Sequence, residues 1–286
     1  NWANLQEQEG QPLVNHAGAE TLPPGSIFKV ITTAAGLNNG FDPSSTLTGS
    51  NVITLPDTVT ELTNYANQKC NGQDSVTLQT AFALSCNTAF VEMSEQIGAD
   101  ELRKYAKAFG VGENYDLGVS TSGGTLGDLP DGAATAQSAI GQRDVTMTAL
   151  QAAVMAGTVA NKGTRMQPYL VNRITDAQMK DVRTTKPKKA DQAVNEETAA
   201  TLTDLMYASE RSSWGYDGNG FASKTGTAEH GEGLAPHVWY VAFDPERDIA
   251  VGVVVKNGGN LGESATGGKV SGPIGRAILR AYQGEQ

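Results

Sequence analysis

The sequence is poor in the residues that staple or metallate a fold: 286 residues include two cysteines, Cys70 and Cys86, and three histidines, His16, His230 and His237. Two cysteines exclude a disulfide scaffold and a cysteine-rich zinc site. The histidines have no ligand-like spacing, so no metal and no cofactor is expected. Positive charge is also scarce. Lys and Arg number 21 against 31 Asp and Glu, a net charge of −10, and the one basic cluster is the short Lys186-Pro187-Lys188-Lys189. That balance argues against nucleic acid, and against an anionic bilayer surface, as a partner. Long apolar runs are missing too: the longest aliphatic stretch, Ile249 to Val255, is strand-sized and far too short to cross a membrane. No signal peptide is visible, and the first residue is Asn1 rather than Met. The expectation is therefore a processed or truncated piece whose targeting segment lies elsewhere.

What remains is ordinary globular material, 39% apolar and 18% charged, long enough for one large domain or two small ones. Its most informative stretch is Leu22-Pro23-Pro24-Gly25-Ser26-Ile27-Phe28-Lys29. Prolines and a glycine halt an extended segment, Ser26 opens an apolar run to Leu37, and Asn38-Asn39-Gly40 closes it. This is the punctuation of a helix, with Ile27, Val30, Ile31 and Ala34 toward the core. Ser26 and Lys29, three apart, then share a face within side-chain reach. A serine beside a lysine at the positive end of a helix is a good place to make an alkoxide, provided the lysine is neutral. Alone, such a pair is most often a cap and a solvated lysine.

Along the chain, residues 1–25 read as extended, with Pro12-Leu13-Val14 as the strand. Residues 41–74 read as loop-rich, with a short strand near Asn51 to Thr54. Ser75 to Gly98 reads as two helices meeting at Ser85-Cys86-Asn87, followed by a third from Asp100 to Phe109 that stops at Gly110. Residues 111–143 are glycine-rich, with Gly123-Gly124, Pro130-Asp131-Gly132 and Gly141-Gln142, and are longer than a mere connection, as functional rims often are. Asp144 is expected to cap a helix to Ala160 whose small residues allow close packing. A strand from Tyr169 to Thr175 and a charged excursion over 176–193 lead to a helix capped by Asn195. Three strands follow, near Phe221–Thr227, Val238–Phe243 and Ile249–Lys256. A final helix, Ser271 to Tyr282, gathers Ile274, Ala277, Ile278 and Ala281 on one face. The fold class is α+β: a central antiparallel sheet, formed by the N-terminal strand and the last three, packed by helices. An all-helical subdomain carries the Ser85 joint.

Three elements give the chain its chemistry. Ser26-Ile27-Phe28-Lys29, Ser85-Cys86-Asn87 and Lys224-Thr225-Gly226-Thr227 resemble the SxxK, SxN and KTG set of penicillin-binding proteins and serine β-lactamases, each once and in the family's order. Further stretches resemble the transpeptidase domain of class B penicillin-binding proteins: Gly141-Gln142 before a helix ending Ala160-Asn161, His237 to Phe243 after the KTG, and Lys256-Asn257-Gly258-Gly259. The likeness covers nearly the whole chain. It implies a single penicillin-binding transpeptidase domain over residues 1–286, with a helical subdomain of roughly 40–165 inserted in an α/β part made by 1–40 and 166–286.

The resemblance implies a role for each matched residue. Ser26 is the expected nucleophile on the carbonyl between two D-alanines of a peptidoglycan stem peptide, and Lys29 its general base. Ser85 relays the proton, and Asn87 holds the substrate amide. The strand bearing Lys224 binds the peptide as an added strand, Gly226 keeps its edge clear, and Lys224, Thr225 and Thr227 recognise the terminal carboxylate. Backbone N–H groups of Ser26 and Thr227 make the oxyanion hole. The acyl-enzyme passes to an acceptor amine, giving a cross-link, and β-lactams acylate Ser26 and stay. The implied location is extracytoplasmic, held to the bacterial cytoplasmic membrane by an N-terminal segment and accessory domain outside this sequence. Stem peptides, β-lactams and cell-wall synthesis proteins are the implied partners.

Rival activities stay in view: a D,D-carboxypeptidase, a β-lactamase, or a non-catalytic β-lactam-sensing or cell-wall binding domain. Against a class A β-lactamase, Ser120 to Gln142 contains no glutamate to drive deacylation. Ile27 stands where the family often has a smaller polar residue; facing away from Lys29, it should matter little. Cys86 reads either as a packed small side chain or as the partner of Cys70, since the family works where disulfides persist.

Overall fold

The computed structural model describes residues 2–231 and 233–284. The chain opens with helices α1 (Trp2–Glu7) and α2 (His16–Ala19), then a 3-10 turn, Gly25–Phe28, that runs directly into α3 (Lys29–Leu37). Four short strands follow, β1 (Thr46–Thr48), β2 (Val52–Thr54), β3 (Glu61–Thr63) and β4 (Ser75–Thr77). Next come α4 (Leu78–Leu84), α5 (Asn87–Ala108), α6 (Gly132–Ala139) and α7 (Ala149–Ala160). Strands β5 (Thr164–Gln167), β6 (Arg173–Thr175), β7 (Asp181–Thr184) and β8 (Lys188–Gln192) precede α8 (Glu196–Ser212). The chain closes with β9 (Ala222–Ala228), β10 (His237–Asp244), β11 (Ile249–Val255) and α9 (Ser271–Gly284).

The architecture is α+β around an antiparallel sheet of order β11-β10-β9. Every residue of β10 is buried, because helices cover both faces of the sheet. The two-residue period of the strand sorts its side chains. Trp239, Val241 and Phe243 join the main core with α3, α4, α5, α7 and α8, while Tyr240 and Ala242 pack with Phe221, Val251 and Leu279 under α9. The small residues of α7 do what their size suggests. A Cβ at Gly252 of β11 would lie 2.5 Å from Ala149 O and 2.7 Å from Ala153 N, so helix and strand touch backbone to backbone.

Several expectations need correction. Pro12-Leu13-Val14 is no strand: Gln11 N donates to Gln8 O and Val14 N to Gln11 O, which coils the segment, and Leu13 and Val14 stay exposed. Among the described residues the sheet therefore has three strands, without the N-terminal one. The region 40–165 is helical in bulk but also holds the pairs β1–β4 and β2–β3. Within the glycine-rich stretch Asp131 Oδ1 accepts from Ala134 N at 2.7 Å and starts α6, a helix the sequence reading did not place. Asp144 caps nothing, because a reciprocal box between Thr148 and Gln151 starts α7 four residues later.

The last helix turns its unexpected face inward. Ser271, Gly272, Gly275, Arg276 and Leu279 are buried, while Ile274 and Ile278 are 44% and 43% exposed. The Tyr240 ring lies where a Cβ on Gly275 would be, and Arg276 pairs with buried Glu210 at 2.6 Å. Close approach and a buried ion pair outweigh two isoleucines here.

Candidate active site

The segment before Ser26 is held by three separate parts of the fold. Leu22 N donates to Met147 O at 2.9 Å, Trp239 Nε1 to Pro23 O at 2.8 Å, and Gly25 N to Gly141 O at 2.9 Å. Gly25 has φ +53°, and a Cβ there would sit 2.8 Å from Thr227 O. The turn is thus pressed onto β9, and glycine is the residue that fits. Ser26 lies in the 3-10 turn and Lys29 begins α3. At i and i+3 of such a turn the two side chains eclipse, so both point to one side.

The second element comes from the joint between α4 and α5. Ser85 ends α4 in the left-handed region, φ 61° and ψ 40°, a conformation that costs a non-glycine residue on the order of 1 kcal/mol. The surroundings hold it there. Cys86 N donates to Ala81 O at 2.9 Å, and Cys86 is disulfide-bonded to Cys70, with Cα atoms 5.7 Å apart. Both cysteines are buried, so Cys86 is packed and paired at once. Asn87 opens α5, and its Nδ2 donates to Thr63 O on β3 at 3.1 Å.

Lys29 is fully buried and spends its donors away from Ser26: Nζ reaches Asn87 Oδ1 at 2.7 Å, Ser85 O at 2.8 Å and Ser85 Oγ at 3.3 Å. Lys224, on β9, is buried as well, and its Nζ donates to Ser85 Oγ at 2.9 Å and Thr225 O at 3.1 Å. One hydroxyl therefore bridges two amines. The Phe90 ring lies 5.2 Å from Lys29 Nζ and the Phe82 ring 5.7 Å from Lys224 Nζ. Among the described residues no carboxylate pairs with either lysine. Burial drives the Lys29 amine well below its ordinary range, and the Lys224 charge pushes it further. Burial alone brings Lys224 down to about 7. Burial thus favours the neutral form of both amines, the form a base requires.

Ser26, Ser85, Asn87, Thr225, Gly226 and Thr227 line one cleft of about 790 Å³. The structure brings the eight residues singled out in the sequence to this cleft and the lysine pair beneath it. A Cβ on Gly226 would lie 2.8 Å from Pro24 O and 3.0 Å from Ile27 Cγ2, so the glycine also lets β9 pack against the Ser26 turn. Ile27 is fully buried at that contact.

Other contributors left no mark in the sequence. Phe82 and Phe90 read there as core, Thr63 and Asn64 as loop. Asn64 Nδ2 donates to Ser50 O at 2.9 Å, and its Oδ1 accepts from Thr88 N at 3.1 Å, bracing the wall behind Asn87. Behind β9, Glu210 accepts from Arg276 Nε at 2.6 Å, Tyr240 Oη at 3.0 Å, Asn219 Nδ2 at 2.9 Å and Ser223 Oγ. Burial opposes its charge, but these donors hold its carboxyl below the usual range. Ser223 precedes Lys224, so this network fixes the back of the strand. Among the described residues no cluster of three or more metal-ligating side chains is found.

The family model for the penicillin-binding protein transpeptidase domain matches residues 2–280. The chain is 45% identical over 289 residues to the peptidoglycan D,D-transpeptidase PbpA of Mycolicibacterium smegmatis, covering 98% of this chain and 59% of that protein. Among solved structures it is similar to penicillin-binding protein A of M. tuberculosis in its ceftriaxone acyl-enzyme complex, with a TM-score of 0.93 and 42% identity over 98% of this chain and 65% of that one. The penicillin G acyl-enzyme complex of that protein matches with a TM-score of 0.92 and 42% identity, over 99% and 66% of the two chains. The chain thus spans about three fifths of the length of the relatives it matches (59% and 60%).

Proposed function

The chain belongs to the penicillin-binding protein transpeptidase domain family, and from that membership we propose that it is a serine-type peptidoglycan D,D-transpeptidase. The observation that carries the reading is the lysine pair. Two buried amines meet one serine hydroxyl beneath a cleft that Ser26 lines.

In this reading Ser26 Oγ attacks the carbonyl of the penultimate D-alanine while neutral Lys29 takes its proton. The backbone N–H groups of Ser26 and Thr227 stabilise the oxyanion; one such donor is commonly worth roughly 3 kcal/mol of barrier. Ser85, already bonded to both amines, passes a proton to the departing D-alanine amine. The peptide adds to β9, an edge strand of the sheet, with its terminal carboxylate near Lys224, Thr225 and Thr227. Asn87 Oδ1, which accepts from Lys29 Nζ, turns to the substrate amide on binding. An amine from a second stem peptide resolves the acyl-enzyme and forms the cross-link.

The domain reading follows: residues 40–165 form the lobe that brings Ser85 and Asn87, and the remainder forms the sheet lobe that brings Lys224. Cell-wall peptides place the work outside the cytoplasmic membrane, with attachment through sequence beyond this chain. No helix among the described residues is long and apolar enough to cross a membrane.

The test is intact mass after brief incubation with benzylpenicillin, with the labelled peptide mapped and the remaining drug assayed. A lasting adduct on the Ser26 peptide, absent in Ser26→Ala, is the expected result. Rapid drug loss without an adduct would make the protein a β-lactamase. Labelling without turnover of any stem peptide would make it a sensor, and release of D-alanine to water alone a carboxypeptidase.

A further inference from the structure

Residues 164–192 form a two-stranded arm, β5 against β8 and then β6 against β7. Thr185 N donates to Asn172 O at 2.8 Å and joins the two pairs into one ribbon. Every residue of β7 and β8 is exposed, so nothing among the described residues covers those strands. A two-stranded ribbon with no covering face is marginal in water. Its charge is the reverse of the chain's. Between residues 168 and 190 stand Arg173, Lys180, Arg183, Lys186, Lys188 and Lys189 against Asp176 and Asp181, in a chain of net charge −10. Both acids are engaged within the arm. Asp176 Oδ1 accepts from Gln178 N and Lys180 N at 2.9 Å, and Asp181 pairs with Arg173 at 3.5 Å. The other five cations have no carboxylate partner among the described residues. Large apolar side chains stand among them. Met179 is 71% and Val182 67% exposed, and Ile174 shares a face with its cross-strand neighbour Arg183. Met179 lies in the turn at the tip with φ +62°, a left-handed conformation that glycine or asparagine adopts at less cost.

We propose that this arm docks on a bilayer containing anionic phospholipid, with Met179 and Val182 at the acyl boundary and Lys180, Arg183 and Lys186 on headgroup phosphates. Charge complementarity selects the partner. Summed over the chain, charge disfavours an anionic surface, but the fold gathers the opposite sign onto one exposed ribbon. Salt confines the attraction to charges within about 8 Å of the surface. An arm in contact is therefore attracted while the acidic body behind it is screened. The apolar groups are interleaved with cations along the ribbon, as Ile174 is with Arg183. A fluid boundary accepts that pattern, whereas a protein partner needs the apolar groups gathered into a dry central patch. Long Lys and Arg side chains keep their heads at the phosphates while their stems follow the ribbon into the boundary. The proposal is independent of the acylation chemistry. It adds a weak, salt-sensitive contact to whatever attachment lies outside this chain.

The test is flotation of the purified chain with vesicles of phosphatidylcholine alone, or of phosphatidylcholine with an equal amount of phosphatidylglycerol. Each is run at about 0.05 M and about 0.5 M salt. At the lower salt the anionic vesicles should carry about tenfold more protein than the neutral ones, and the difference should disappear at the higher salt. Met179→Ser/Val182→Ser and, separately, Lys180→Gln/Arg183→Gln/Lys186→Gln should each lower that binding about fivefold or more. Unchanged thermal unfolding of both variants shows that the domain itself is intact. Equal binding to the two vesicle types, or none to either, would overturn the proposal. Binding undiminished in Met179→Ser/Val182→Ser and competed away by soluble polyphosphate would make the arm a polyanion site and overturn the bilayer as its partner. Arm-dependent dimers seen by light scattering without vesicles would put a second copy of this chain in the bilayer's place, and overturn it likewise.

Discussion

Lys224 Nζ donates to Ser85 Oγ at 2.9 Å, and Lys29 Nζ lies 3.3 Å from the same oxygen. A serine placed between two buried amines is a proton relay as much as a hydrogen-bond donor. In the proposed mechanism protons leave Ser26 through Lys29 and reach the departing amine through Ser85.

The relay ranks the variants. Lys29→Ala removes the base and should slow benzylpenicillin acylation by about 10³-fold or more, Ser85→Ala by about 10²-fold, and Lys224→Ala less than Lys29→Ala. Stopped-flow acylation rates on folded variants check the order. Near-normal acylation of Lys29→Ala would remove it as the base.

Lys224 also makes stability depend on pH. Its folded pKa, about 7, lies below the unfolded value near 10.5. Between those limits the unfolded chain binds more protons, so stability rises with pH; below 7 the cost of burying the charge is fully present. Compared with Lys224→Met, wild type should gain on the order of 2 kcal/mol between pH 7 and pH 9. Urea denaturation of both proteins at the two pH values measures this, and parallel behaviour would show that Lys224 is not the source.

Cys86 sits between Ser85 and Asn87, so the bond to Cys70 anchors the joint that carries both. Cys70→Ser/Cys86→Ser should lose roughly 3 kcal/mol, as expected for a loop of this length in the chain-entropy model. It should also acylate more slowly, because the left-handed Ser85 loses its tether. Two reactive thiols in denatured, unreduced wild type would refute the pairing.

Gly226→Ala should slow acylation and also lower global stability, because the clash is with buried backbone. The added methyl meets Pro24 O at 2.8 Å and pushes the Ser26 turn away from β9, and small misplacements at a reacting centre can cost about 10²-fold. Normal acylation by Gly226→Ala would show that the turn yields without moving Ser26.

Much of this was legible because local chemistry announces it. Asn195 with Glu196 and Glu197 opens α8, with Thr198 N donating to Asn195 Oδ1 at 2.7 Å. The three C-terminal strands follow their own apolar runs, and Pro-Gly-Ser before an apolar run places Ser26 at a turn into α3. The α9 face was not legible, since Gly275 and Arg276 go inward only because Tyr240 and Glu210 wait there. Nor was the direction of the Lys29 side chain, which is set by Ser85 and Asn87 more than fifty residues away. Leu13 and Val14 are apolar enough to read as a strand, but the segment coils on itself through Gln11 N to Gln8 O and Val14 N to Gln11 O and leaves both exposed.

The groups that could react are named by residue order: one serine with a lysine three residues on, a second serine with an asparagine, and a lysine on a strand, in the order of a known family. Only the folded arrangement makes the two lysines share one hydroxyl and buries both of them, which favours their neutral forms. Those outcomes depend on desolvation and on contacts between distant segments. No local pattern of residues encodes them.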